Sequence, residues 1–367
     1  MNTNIMTPIK DLKINQDCRH FKGDVPCLPH KRENVICETC PHYDPIKERI
    51  LIIKLGAAGD VIRTTPLLRK LKQVYPARHI TWLTQSPELV PADWVDQILS
   101  FDLKNIVALQ ASQFDLLINL DKDREACALA NQIAARKKQG FGLNQFNRCY
   151  PLDQNAEAKF LTGVFDSANK ANTKSYPQEI FEICGFEFQG EKYILSNFAD
   201  RNYQWNISEP KPIVGLNTGC GGRWPSRLWP ERNWIELARQ LKAQGNGVLI
   251  LGGPEEHEKN LRIAQQSGAT YLGHFPLPQF INLVDQCDLI VTAVTMATHI
   301  AIGLGKKIVL FNNIFNKHEF ELYGLGEILE PAIKCDCFFA RECPHHSMEH
   351  IYVPTVLTTC ERLLSQL

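Results

Sequence analysis

The sequence predicts an α/β protein built from two doubly wound, Rossmann-like units that follow a short cysteine-rich segment. Three observations carry this expectation. Residues 50–70, ILIIKLGAAGDVIRTTPLLRK, pass from a β-branched apolar run through a glycine loop into a helix with an apolar face. Residues 212–245 repeat that order, with PIVGLNTG, a glycine-rich loop and the helical stretch PERNWIELARQLKAQG. The length of 367 residues exceeds that of most single domains, and 44% hydrophobic content can fill two cores.

Taken in order, residues 1–47 are polar and lack clear periodicity, and they form the cysteine-rich head. Residues 48–204 form the first predicted domain, with strands at 50–54, 79–84, 97–101 and 114–120 and helices at 61–75, 124–136 and 176–184. The polar stretch 140–175 reads as loops or flexible helices over a cleft. WNISEPKP (205–212), with two prolines, is the predicted linker. The second predicted domain spans 212–345. Its units are 212–219, the helix 230–245 with Pro230 near its start and Gly245 at its end, the strand 247–254, then 269–274, 278–287, 288–294, 296–305 and 306–313. A C-terminal helix is predicted within 346–367.

Charge is balanced, with 40 basic against 40 acidic residues, so nothing global argues for a nucleic-acid partner. No apolar run approaches a membrane span, although peripheral membrane contact stays open. The stretch MNTNIMTPIKDLKINQD has no apolar h-region, so no signal peptide and a cytoplasmic location are expected. Thirteen cysteines in such a chain suggest thiols or metal ligands before disulfides.

In doubly wound sheets, ligands sit beyond the carboxyl ends of the strands. The loop with Gly56, Gly59 and Asp60 therefore places a carboxylate where a ligand would lie. Its spacing fits neither the dinucleotide fingerprint nor the phosphate loop. Asp60 also suits the start of the helix that follows, as a cap. In the second unit, Gly219, Gly221, Gly222, Arg223 and Arg227 precede a helix start. Backbone N–H groups, guanidinium groups and a helix N-terminus together favour an anion such as a diphosphate. A solvated loop with surface arginines is the competing reading.

GDVIRTTPLL, the TG…RWP…WP block and the later helix carrying His299 resemble glycosyltransferase family 9, which includes the ADP-heptose–lipopolysaccharide heptosyltransferases. The resemblance covers roughly residues 48–360 and implies a GT-B fold of two facing Rossmann-like domains, the first for acceptor and the second for nucleotide-sugar. It implies inverting transfer with no catalytic metal. Such transfer needs a base for the acceptor hydroxyl and a cationic holder for the leaving diphosphate. Asp60 matches the family's loop aspartate and would be the base. Arg227 stands where relatives carry a lysine or arginine facing the diphosphate, while Gly59, Arg63, Thr218 and Gly219 would approach the substrates.

VTAVTMATHIAIGLG (291–305) resembles the family's second donor motif, with departures. Val294-Thr295 occupy the place of the usual aspartate and threonine or serine, so the aspartate is missing, and Met296 replaces the glycine. Thr295, Met296 and His299 remain candidate donor contacts, with a core histidine as the alternative for His299. In NNIFNKHEFELYG (312–324), the loop after the next strand, the Asn, Lys and Glu residues, Asn313 among them, could contact ribose, base or sugar, or could be solvated.

Cys18, Cys27, Cys37 and Cys40, spaced C-x8-C-x9-C-x2-C, predict a structural Zn or Fe site in the head. Cys335, Cys337 and Cys343 form a second, incomplete set, because Ser347 stands where related chains often carry a fourth cysteine. Only Cys360, His345 or His346 would complete that set, and free thiols are the favoured reading. The expected function is transfer of a heptose or related sugar from an ADP-sugar to a lipopolysaccharide-core-type glycan or glycolipid. A protein or other glycan acceptor is the alternative. A metal-stabilised adaptor with a degenerate nucleotide site is the non-enzyme reading.

Overall fold

The computed structural model describes residues 12–195, 203–222 and 224–367. Among the described residues, eleven strands fall into two sheets. In the first, β1 (Glu48–Ile53), β2 (Arg78–Thr84), β3 (Gln97–Ser100), β4 (Gln113–Asn119), β5 (Ala134–Leu143) and β6 (Cys149–Pro151) lie in the order β3-β2-β1-β4-β5-β6. All pairs are parallel except β5 with β6. In the second, β7 (Ile213–Asn217), β8 (Gly247–Leu251), β9 (Leu289–Ala293), β10 (Lys307–Phe311) and β11 (Gly326–Leu329) lie in the fully parallel order β11-β10-β9-β7-β8.

Both orders reverse direction at one point, between β1 and β4 and between β7 and β9. Loops leaving neighbouring strands there turn to opposite faces and open a crevice. The 54–57 and 120–123 loops flank the first reversal, and the 218–222 and 294–295 loops flank the second. The central strands β1, β7 and β9 are buried on both faces over most of their length, which is why Ile50–Ile53, Val214, Leu216 and Leu289–Val291 read as apolar runs. Trp229, Trp234 and Phe311 pack together in the second core. The helix Val353–Leu364 closes that core with Val356, Cys360 and Leu363.

Several expectations need correction. The helix expected at 61–75 is two, Ala58–Thr64 and Pro66–Val74, because Pro66 has no N–H for a continuous ladder. The earlier start puts Asp60 inside the first turn, and Ala57, not Asp60, is the capping residue. The helix expected to reach 136 ends at Gln132, and β5 runs through Ala134–Leu143. Pairing with β4 overrides the weak local signal of KKQGFG, and Gly140 is required there at φ 91° against the Asn119 carbonyl. Residues 269–274 supply only a single bridge, Thr270 to Leu249, and β11 was not anticipated.

Candidate active site

Asp60 sits in the first turn of the helix Ala58–Thr64, which follows the loop that leaves β1. Its Oδ1 accepts from Arg63 Nε at 2.9 Å, and its Oδ2 lies 3.7 Å from Lys54 Nζ. Lys54 is buried at the end of β1 and bonds to the carboxylate of Asp121, from the end of β4. Lys54 also donates to the Gly56 carbonyl at 2.5 Å. Asp121 in turn accepts from the Leu55 backbone N–H, which ties the two loop roots together. The Arg63 guanidinium stacks 3.6 Å over the Tyr176 ring and reaches Glu319, in the loop after β10, at 3.8 Å.

Burial alone would raise the Asp60 pKa. The positive charges of Arg63 and Lys54 outweigh it and hold the carboxyl below its ordinary range. Burial likewise opposes the Lys54 ammonium, yet its surroundings, Asp60 and Asp121 among them, keep it charged. His299 faces this cluster from the helix Met296–Gly303. Burial, then Arg63, pushes its pKa down to about 3, so the ring is neutral. Its Nδ1 is buried and, among the described residues, finds no hydrogen-bond partner.

A cavity of about 740 Å³ lies between the two sheets. Ala57, Gly59, Asp60 and Arg63 line it from the first unit. Asn217, Gly219, Cys220, Gly221, Arg227, Thr295, Met296 and His299 line it from the second. Gly219 packs against the Glu256 side chain: a Cβ there would stand 2.2 Å from the Glu256 carboxyl carbon, so that side chain would have to move. Arg227 is 8% exposed and donates to the carbonyls of Val294 and Cys220, so it clamps the two loops of the β7/β9 crevice together. Thr295 caps the helix Met296–Gly303 by accepting from Ala297 N at 3.2 Å. At the position of the missing aspartate, it is the Val294 main chain that does polar work.

Three expected contacts lie outside this lining. The Thr218 hydroxyl turns away to Asn260 at 2.5 Å. Asn313 donates to the Ser226 carbonyl at 2.8 Å and to Ser347 Oγ at 3.2 Å. A Cβ at Gly222 would meet Glu255 Oε2 at 3.6 Å. Arg223 lies outside the described residues. Glu319 lies in the 312–324 loop whose Asn, Lys and Glu residues are expected contacts, whereas sequence reading missed Lys54 and Asp121, whose only signal was a charge beside a strand end, and Tyr176, at the start of a helix. It also missed the aromatic walls of the cavity, Phe275, Phe280, Phe315 and Phe339, with Glu255 and Glu256 beside the glycine loop.

The metal expectation for the head is not met by the geometry. Among the described residues, no three of Cys18, Cys27, Cys37 and Cys40 bring their sulfurs together. Other contacts order that segment: Arg19 bonds to Asp44, Asp96 and the Arg78 carbonyl, and Cys18 bridges to Pro45. The set that does converge is Cys335, Cys337 and Cys343, whose sulfurs lie within 4.8 Å of one another and could hold a metal ion. Cys360 cannot complete it, because it is buried in the second core.

The sequence model of glycosyltransferase family 9 (heptosyltransferase) matches residues 103–318. Lipopolysaccharide heptosyltransferase 2 of Salmonella typhimurium is 25% identical over 292 residues, covering 71% of this chain and 81% of that one. Lipopolysaccharide heptosyltransferase 1 of the same organism is 22% identical, covering 70% and 86%. The solved ADP-heptose lipopolysaccharide heptosyltransferase II of E. coli superposes with a TM-score of 0.65 at 19% identity, covering 87% of this chain and 99% of that one. A glycosyl transferase family 9 structure from Veillonella parvula also gives 0.65, at 18% identity, covering 87% and 98%. The family model spans more than half of the chain, and the chain belongs to glycosyltransferase family 9, as a glycosyltransferase of the heptosyltransferase type.

Proposed function

We propose that the protein moves a heptose or related sugar from an ADP-sugar to a lipopolysaccharide-core-type acceptor, with inversion at the sugar carbon. The observation that carries this reading is a single cavity with a carboxylate on one wall and an arginine-clamped glycine loop on the other. Asp60 would take the proton of the acceptor hydroxyl as that oxygen attacks the anomeric carbon. Arg63 and Lys54 keep it ionised and aimed. Arg227, the backbone of 219–221 and the helix start at 295–297 would hold the diphosphate as the bond to the sugar breaks. Neutral His299 would offer its unpaired Nδ1 to the sugar or to a phosphate oxygen.

The first unit, residues 48–204, would take the acceptor, and the second, 212–345, the nucleotide-sugar. Positive charge at the leaving group would come from the protein, so transfer would need no divalent cation. Two relatives named for lipopolysaccharide support the acceptor class. Among the described residues, no helix is long and apolar enough to cross a membrane, so a glycolipid acceptor would be met at the membrane surface. A protein or another glycan as acceptor is the second reading. The replacements at Val294 and Met296, inside the donor motif, bear on the identity of the donor more than on the type of reaction.

A thermal-shift screen of nucleotide-sugars tests the donor, because a ligand bound to the folded state raises the melting temperature by mass action. An ADP-sugar should give the largest rise, followed by turnover with a core-type acceptor. A larger rise with UDP- or GDP-sugars would overturn the donor assignment.

A further inference from the structure

The segment from Cys335 to Ser347 has no role in the reaction above, yet it is built around converging sulfurs. The Cys335 and Cys343 sulfurs are 3.3 Å apart, and the Cys337 N–H donates to Cys335 Sγ at 3.4 Å. Ser347 Oγ lies 3.3 Å from Cys343 Sγ. Residues 335–342 contain neither helix nor strand, so little regular backbone pairing holds the segment in shape. Sulfurs bound about 2.3 Å from a tetrahedral ion stand about 3.8 Å from one another, within the observed spread.

We propose that Cys335, Cys337 and Cys343 bind one thiophilic transition-metal ion, Zn²⁺ or Fe²⁺, as thiolates, with the fourth place taken by Ser347 Oγ or water. On binding, each thiol loses its proton to solvent, and no other bond changes. Soft sulfur donors exclude Mg²⁺ and Ca²⁺ as occupants. A loop too short to bury its own core gains its order from the metal, since binding free energy becomes folding free energy.

The site is structural, and it is wired to the donor wall. The Ser226 N–H donates to the Arg341 carbonyl at 3.1 Å, and Ser226 Oγ donates to the Ala340 carbonyl at 2.8 Å. Asn313 ties the Ser226 carbonyl to Ser347. The Phe339 N–H donates to the Ile314 carbonyl, and its ring packs 5.0 Å from Phe315, which lies 5.4 Å beneath the Arg227 guanidinium. Phe339 and Arg227 both line the cavity. The metal loop is therefore the back support of the segment that presents Arg227. This part of the proposal rests on Arg227 facing the donor.

The test uses the full chain purified under reducing, chelator-free conditions. Elemental analysis should find near one equivalent of Zn or Fe. Cys337→Ser and Cys343→Ser should lose it, and Cys37→Ser should keep it. Loading the metal-stripped wild type with Co²⁺ should give an intense near-ultraviolet thiolate-to-cobalt band that both 337 and 343 variants lack. Far-ultraviolet circular dichroism should show those variants still folded. Calorimetry with ADP should show affinity falling several-fold on metal loss. Absence of metal from the wild type, metal retained in both variants, or a Cys335–Cys343 disulfide in the reduced preparation would overturn the site. Unchanged ADP affinity after metal loss would overturn the supporting role. Failure of the metal-loaded wild type to bind ADP would instead overturn the donor reading and leave the site standing.

Discussion

Gly59 and His299 meet across the cleft, one from each sheet's unit, so closely that a Cβ on Gly59 would stand 2.5 Å from His299 Cδ2. Real Cβ contacts are essentially never so short, so any side chain at position 59 must push the two helices or the ring aside. This contact brings the turn that carries Asp60 beside the helix start of the second unit. Gly59→Ala should destabilise the protein by about 1–3 kcal/mol, the cost of overpacking a close contact. Urea unfolding of Gly59→Ala, His299→Ala and the double variant should reveal a coupling of at least about 0.5 kcal/mol. Additive effects would mean that the two residues do not share the contact.

Asp60→Asn should leave the fold and ADP binding intact and lower turnover by about 10²–10⁴-fold, the usual worth of a general base. Steady-state rates on the purified variant decide it, and near-normal turnover would remove Asp60 from the mechanism.

The pH profile follows from the charges around Asp60. Its pKa lies below the ordinary value because Arg63 and Lys54 outweigh burial. The reactive form is the carboxylate, which dominates above that pKa. The acid limb of kcat/KM should therefore fall below the pH of about 3.9 typical of a free aspartate, provided the fold survives there. Arg63→Gln removes the larger of the two opposing charges, so the limb should move to higher pH. A limb that stays put in the variant would show that Arg63 does not set the basicity of Asp60.

Arg227→Ala should weaken ADP by about 1.5–3 kcal/mol, the scale of a charge-assisted hydrogen bond. It also deprives the Val294 and Cys220 carbonyls of their donor, so the two loops should loosen together. Calorimetry reads the affinity, and an unchanged value would move the diphosphate elsewhere.

Transfer should survive EDTA over a short assay, because arginine and backbone N–H groups would carry the charge of the leaving group. Loss of activity with chelator, restored at once by Mg²⁺ or Mn²⁺, would overturn metal-independent transfer.

Much of this protein is written in its local sequence. The run Ile50–Ile53, the glycines that follow and the apolar face of 61–71 announce a buried strand, a turn and a helix, because each depends on residues adjacent in the chain. The same holds for 213–217 and the helix after Pro230, and the motifs around Asp60, Arg227 and His299 were enough to name the family. What the sequence could not determine is which loops share a cavity. Strand order decides that, and strand order is a property of distant pairing. The placement of β1 beside β4 joins Lys54 to Asp121, and the placement of β7 beside β9 lets Arg227 bond to Val294. β5 stayed hidden because its residues favour a strand only once β4 is alongside. The cysteines show the limit most directly. The C-x2-C of the head has the more familiar spacing, yet its sulfurs do not gather, whereas the irregular 335–343 set does. Spacing along the chain constrains where sulfurs can go, but only the path of the loop, anchored here on Ser226 and Ile314, brings them to one point.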